Sequence, residues 1–216
     1  VNITQRSMQR AGLVLLLFSL LAGGLLATTH LVTRPIIEAG EREALLAQIS
    51  QVLPKGIYDN DLLSAARPLS AAENTALNND HPTHRYLATW QGKPSAVVME
   101  ATAPDGYAGR ISLLIGILAD GTVSGVRVLR HKETPGLGDY IQLGKAYISQ
   151  GRRQTDWVRQ LDSQPPQPVA TWAVRKAGGK FDYMAGATIS PRAVLKAVGA
   201  AQQYAITHRA ALFRAE

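Results

Sequence analysis

The chain has 216 residues, 46% of them hydrophobic, with a formal net charge of +7 and no cysteine. That length accommodates one sizeable domain with appendages, and the missing thiols exclude disulfides, iron–sulfur ligation by this chain and zinc–thiolate sites. Residues 1–34 hold Arg6, Arg10 and Arg34 and no acid, which leaves 20 of the 23 basic residues against 16 acidic ones, a net +4 too diffuse to make a nucleic-acid stripe.

Residues 1–10 are a polar, basic start. Residues 11–29 are apolar and uncharged over about the 20 residues that a bilayer span needs, which predicts a transmembrane anchor over 11–33. The stretch Leu25-Leu26-Ala27-Thr28-Thr29 makes a poor cleavage site, so the anchor is expected to be retained. Gly23 and Gly24 permit a close helix contact or are simply tolerated in lipid. Arg6, Arg10 and the amino terminus before the span, against Arg34 and Arg42 after it, give only a slight positive-inside bias; a basic leader followed by an apolar run and a large C-terminal domain predicts the amino end inside and the bulk of the chain outside.

Residues 34–84 read as a helical linker or docking region. After Pro35 the apolar positions Ile37, Leu45, Leu46, Ile49, Val52 and Leu53 recur with helical spacing among Glu38, Glu41, Arg42 and Glu43. They predict a separate amphipathic helix, ended by Pro54 and Gly56. Ser70-Ala71-Ala72-Glu73 resembles a capping box. His81 and His84 lie in a polar loop, and His30, His131 and His208 add no metal-ligand spacing.

From residue 85 the pattern changes to period two. Strands are predicted over 85–90 and 95–100 around Gln91-Gly92-Lys93-Pro94, and over 110–118 and 123–129 around Ala119-Asp120-Gly121-Thr122, where Asp-Gly is a hairpin signal. Tyr107 and Gly109 precede the third strand, Gly109 as a turn or bulge residue. Residues 141–150 and 156–161 read as helix or loop, with Trp157 as a core anchor. Residues 164–168 form a proline-rich loop, and 171–174 a short strand before a Gly178-Gly179 turn. With a final helix these elements give an α+β fold, an antiparallel sheet with helices packed on it, preceded by one transmembrane helix. Its domain spans 85–208, followed by a tail over 209–216.

Two loops carry the candidate chemistry. In Asp182-Tyr183-Met184-Ala185-Gly186-Ala187-Thr188-Ile189-Ser190-Pro191, Ser190 reads as the N-cap and Pro191 as the first residue of a helix with apolar positions at Val194, Leu195, Val198 and Ala201. A capped helix start accounts for these residues, and so does an anion site, because helix-start amides are unpaired and the small residues let an anion approach them. The other loop, His131-Lys132-Glu133-Thr134-Pro135-Gly136-Leu137-Gly138, offers two glycines around an apolar side chain. It suits either a tight connection or a platform for a planar ligand.

Together, about fifty residues apart and behind one anchor, these loops resemble those of the covalent-FMN-binding subunits of membrane redox pumps. The resemblance covers the anchor and residues 85–204. It is strongest to the G subunit of the Rnf ion-translocating oxidoreductase; the FMN subunit of the Na+-translocating NADH:quinone oxidoreductase shares both motifs and is the alternative. A flavin-free, membrane-anchored assembly or sensory module is the alternative from another class. The resemblance implies FMN joined by a phosphoester to Thr188, within a motif of Asp182, Gly186, Ala187 and Thr188 recognised by a flavin transferase that uses FAD. Ser190 belongs to the same loop, and Ala185 departs from the family's usual serine or threonine. It further implies that Glu133, Thr134, Pro135, Gly136, Leu137 and Gly138 lie beside the isoalloxazine ring, with no catalytic acid or base and no metal. Alone the chain would complete no reaction. It would be a single-pass electron-transfer subunit of a bacterial inner-membrane translocase, its bulk periplasmic. Its partners would be membrane subunits, a second covalent-flavin subunit and the lipid bilayer, and the complex would couple electron flow between ferredoxin and NAD to Na+ or H+ transport.

Overall fold

The computed structural model describes residues 2–214. It comprises two compact units, residues 1–45 and 46–216.

The chain opens with one helix, α1 (Asn2–Ser50), whose apolar stretch is long enough to cross a membrane. Leu13, Phe18, Leu21 and Leu26 on it are all exposed, as lipid-facing side chains are. The break expected at Pro35 is absent, and α1 runs through it. A proline removes one ladder bond and strains the preceding turn, yet here local bonds bracket it. Thr33 donates to the Thr29 carbonyl, and Arg34 pairs with Glu38 at 2.7 Å one turn on.

Beyond α1 come β1 (Ala66–Pro68), α2 (Ala71–Ala76), β2 (His84–Trp90), β3 (Lys93–Gly106), β4 (Gly109–Leu118) and β5 (Val123–Arg130). The five strands form one antiparallel sheet in chain order. The capping box of α2 is present, Ser70 and Glu73 each accepting the other's backbone N–H. β3 starts earlier and runs further than its periodicity indicates, because the turn uses only Gln91-Gly92 and the strand continues in register with β4 to Ala103.

One face of the sheet packs on α3 (Ile189–Thr207), whose Val194, Leu195, Val198 and Ala201 meet Val97, Met99, Ala101, Leu113 and Ile115 in the main core. Another face admits the chain just past α1. Val52 lies so close to Gly116 that a Cβ there would stand 2.6 Å from its carbonyl oxygen, and Ser124 donates to that oxygen.

The connection from β5 to α3 departs most from expectation. Residues 141–150 contain no helix beyond the end of a 3-10 turn, Gly138–Ile141. Instead β6 (Ala146–Ser149) and β7 (Arg152–Thr155) form a hairpin. The strand expected over 171–174 is also absent: Val169–Thr171 is a 3-10 turn, and only Val174 bridges to Phe181. Trp172 there packs flat on Phe181 and donates to Gln202, contacts that favour an aromatic wedge over an extended ladder. Trp157 is fully buried, as its anchoring role requires. A short α4 (Arg209–Leu212) follows α3.

Candidate functional site

Residues 181–187 approach α3 as an irregular segment whose polar groups are fixed by buried side chains. Trp157 Nε1 donates to the Asp182 carbonyl at 2.6 Å, and the Asp182 amide donates to Gln160 Oε1 at 2.8 Å. The Tyr140 hydroxyl donates to the Ala187 carbonyl at 3.0 Å and accepts from the Met184 amide at 3.2 Å, closing the turn before Thr188. Tyr140 stacks on Tyr147 and meets Trp157 edge-on, and all three rings are buried. Burial pushes the Tyr140 phenol well above its ordinary value, against the opposing Met184 bond. Burial, with the Asp182 carboxylate adding to it, pushes Tyr147 up to about 12.

Helix α3 starts at Ile189, two residues before the predicted start at Pro191. Thr188 takes the cap position but its hydroxyl makes no capping bond, leaving that oxygen outside the helix's own hydrogen bonding. Ser190 is therefore not the N-cap. It is buried in the first turn and donates to Glu133 Oε2 at 2.6 Å. A buried carboxylate is the stronger acceptor and draws the hydroxyl away from the capping role. Pro191 is the third helical residue, still within the turn that needs no intrahelical N–H.

Glu133 is 4% exposed and ties three segments together. Its Oε2 accepts from Ser190, its Oε1 accepts from the Ala108 amide at 3.1 Å, and its own amide donates to His131 Nδ1 at 2.9 Å. Gly138 is required beside it, since a Cβ would stand 2.4 Å from Glu133 Oε2. The intervening loop is closed by Asp139, which accepts from the Gly136 amide at 2.7 Å and pairs with Lys145 at 3.0 Å.

The two loops meet at one cleft of about 210 Å³. Gly186, Ala187, Thr188, Ile189 and Ser190 form one wall, and Glu133, Thr134, Leu137 and Gly138 the other. Pro135 and Gly136 are exposed on the loop's outer side and do not line it. Asp182 also lies off the cleft, paired with Arg175 at 3.1 Å. Ala185 is exposed. Tyr107, at the tip of the β3–β4 hairpin, completes the lining and is 72% exposed. The sequence signals that tip only as a turn, because nothing local says which loop an aromatic at a hairpin tip will face. Tyr107, Leu137 and Ile189 make an apolar mouth, while the first-turn amides of α3 and the unbonded Thr188 hydroxyl supply polarity inside.

Such a cleft can hold an anionic group at the helix start and an apolar plate at its mouth. The family model "FMN-binding domain" matches residues 106–203, and the model "RnfG N-terminal region" matches residues 3–52. Among relatives, the G subunit of the ion-translocating oxidoreductase complex of Pseudoalteromonas atlantica is 43% identical over 94% of this chain and 91% of its own length. The subunit of that name from Vibrio atlanticus is 40% identical over 95% of this chain and 94% of its own. That from Pseudomonas aeruginosa is 43% identical over 99% and 95%.

Proposed function

The chain belongs to the family of G subunits of ion-translocating oxidoreductase complexes, and from that premise we propose that it carries electrons on an FMN joined by a phosphoester to the Thr188 hydroxyl. The observation that carries this reading is the position of Thr188: its hydroxyl is unused by the helix it caps, and it lines the same cleft as Glu133 and Leu137. FMN supplies reversible one- and two-electron chemistry when bound, and the protein's part is to hold and tune it.

The chain's residues suit that part. The α3 amino terminus favours the phosphate charge by dipole and by the free amides of Ile189 and Ser190. Tyr107 and Leu137 offer apolar faces to a ring. Glu133, which accepts from Ser190 and from the Ala108 amide, would hold the hairpin tip and the helix start in place around it. The cleft is smaller than the roughly 300–1,000 Å³ of pockets that enclose a ligand. It would grip the phosphate and one edge of the ring and leave the rest open to a redox partner, which makes a covalent link useful. Attachment would join Thr188 Oγ1 to the flavin phosphate with FAD as donor to a flavin transferase, AMP leaving and the hydroxyl proton passing to solvent. Asp182, held off the cleft, and Pro135 and Gly136, on the outer side of the loop, would serve the transferase or a partner subunit.

The test is intact mass and in-gel flavin fluorescence after co-expression with a flavin transferase. The wild-type chain should gain one FMN and fluoresce, and Thr188→Val should do neither while keeping its thermal midpoint. An unmodified mass for the chain purified from its native membrane complex overturns the reading.

We also infer a cytoplasmic amino end with residues 46–216 on the periplasmic side of a bacterial inner membrane, supported by Arg6 and Arg10 ahead of the apolar run. Because the chain has no cysteine, Lys93→Cys at the exposed β2–β3 turn gives a clean probe. A membrane-impermeant maleimide should label it in spheroplasts, and labelling only after lysis reverses the orientation.

A further inference from the structure

Near the far end of α3 from the cleft, three arginines converge on a small hollow. Arg67 on β1, Arg85 on β2 and Arg214 after α4 line a cavity of about 120 Å³ whose wall includes Leu87 and Thr89, and no acidic residue is among its lining. Arg67 and Arg85 stand directly opposite each other in the β1–β2 register. Like charges in that relation repel across about 5 Å and destabilise a strand pair. None of the three forms an ion pair among the described residues. Their bonds go to carbonyls instead: Arg85 donates to that of Leu212, and Arg67 to those of Ser64 and Ala66. The scaffold around them is set, since the Asn60 side chain donates to the Leu87 carbonyl and accepts from the Thr89 amide.

A local rule broken without an internal compensation marks a place where a ligand supplies what is missing. The charge asks for an anion, and the donor count says which kind. Three guanidinium groups present far more N–H donors than the four or so lone-pair sites of one carboxylate can accept, whereas a tetrahedral phosphate spreads several oxygens for bidentate forks from different directions. The 19 residues of α3 span about 28 Å, so this hollow is separate from the cleft at Thr188.

We propose that Arg67, Arg85 and Arg214 form a phosphate-binding pocket on the β1–β2 edge, occupied by a free phosphate or by the phosphodiester of an anionic lipid headgroup. Arg85, half-buried and fixed by Leu212, is the base of the site, and the exposed Arg67 and Arg214 close over the anion.

The experiment uses the full chain in an uncharged detergent, titrated with inorganic phosphate at constant ionic strength set by chloride. Phosphate at a hundredfold excess over its Kd should raise the thermal midpoint by about 5 °C. The exposed-site variants Arg67→Gln and Arg214→Gln should lose that rise. Without phosphate, Arg67→Gln should melt no lower than wild type, because it removes the repulsion with Arg85; a merely structural arginine would give a lower midpoint. A second arm reconstitutes the chain in nanodiscs of phosphatidylcholine with or without phosphatidylglycerol and reads retained lipid by native mass spectrometry. Phosphatidylglycerol held by wild type but not by Arg67→Gln assigns the headgroup, and a phosphate response without lipid retention assigns the free anion. The proposal is overturned by an absence of both responses, by equal responses in the variants, or by a shift with polyglutamate but none with phosphate, which would point to an acidic protein surface.

Discussion

Glu133 is the residue on which the cleft turns, because one buried carboxylate holds the hairpin tip at Ala108, the first turn of α3 at Ser190 and its own loop. Placing a methyl on Gly138 sets a carbon against that carboxylate, and overpacking of this kind costs about 1–3 kcal/mol. Gly138→Ala should therefore lower the thermal midpoint and reduce flavin incorporation in the same preparation; normal incorporation would show that the Glu133–Ser190 link does not shape the cleft. Tyr140 works from below by bonding both Met184 and Ala187. Tyr140→Phe should cost about 1–2 kcal/mol by denaturant titration, since it leaves a backbone amide without its partner. The same phenols make the fold sensitive to alkali. Their folded-state pKa values lie above the unfolded value of about 10, so their contribution is complete below that pH and fades as pH rises through the folded values, about 12 for Tyr147. The midpoint should fall between roughly pH 10 and 12, and Tyr147→Phe should flatten that fall.

At the scale of elements, the end of α1 belongs with the sheet. Ile49 is fully buried, Val52 rests on Gly116, and Ser124 bonds the Val52 carbonyl. Ile49→Ala should cost about 2–5 kcal/mol, read as a shift in the denaturant midpoint. Much of this level is legible in the amino-acid order. The period-two runs and Asp120-Gly121 give β2 to β5, and Ser70 with Glu73 gives the start of α2. What is not legible depends on distant partners. The strands of β6–β7 have four residues each, too few to show alternation, and their turn uses Gln150-Gly151 without an Asn-Gly or Asp-Gly signal. Ser190 reads locally as a cap, and only a carboxylate 57 residues away in sequence redirects its hydroxyl. The two halves of the cleft are visible as unusual loops, but Tyr107 becomes its third wall only through the β3–β4 pairing.

For the whole molecule, burial divides the chain sharply. Among the described residues every buried core hydrophobe lies at Ile49 or beyond, while none of the apolar window in α1 is buried in protein. The side chains from Leu13 to Leu26 thus add nothing to the core and present to water a surface far larger than a soluble monomer carries. At the roughly 25 cal/mol per Å² that burial of apolar surface contributes, a bilayer would supply the stabilisation that this surface lacks in water. Removing residues 1–35 should therefore leave a chain that stays in solution without detergent. It should keep the thermal midpoint of the full chain to within a few degrees, because Ile49, Val52 and Leu53 remain in place. It should also take up flavin when the transferase is supplied in the same compartment, since each residue lining the Thr188 cleft is retained. A truncated chain that precipitates or melts far below the full-length protein would mean that the anchor contributes to folding, and the compact unit beginning at Leu46 would then not be self-sufficient.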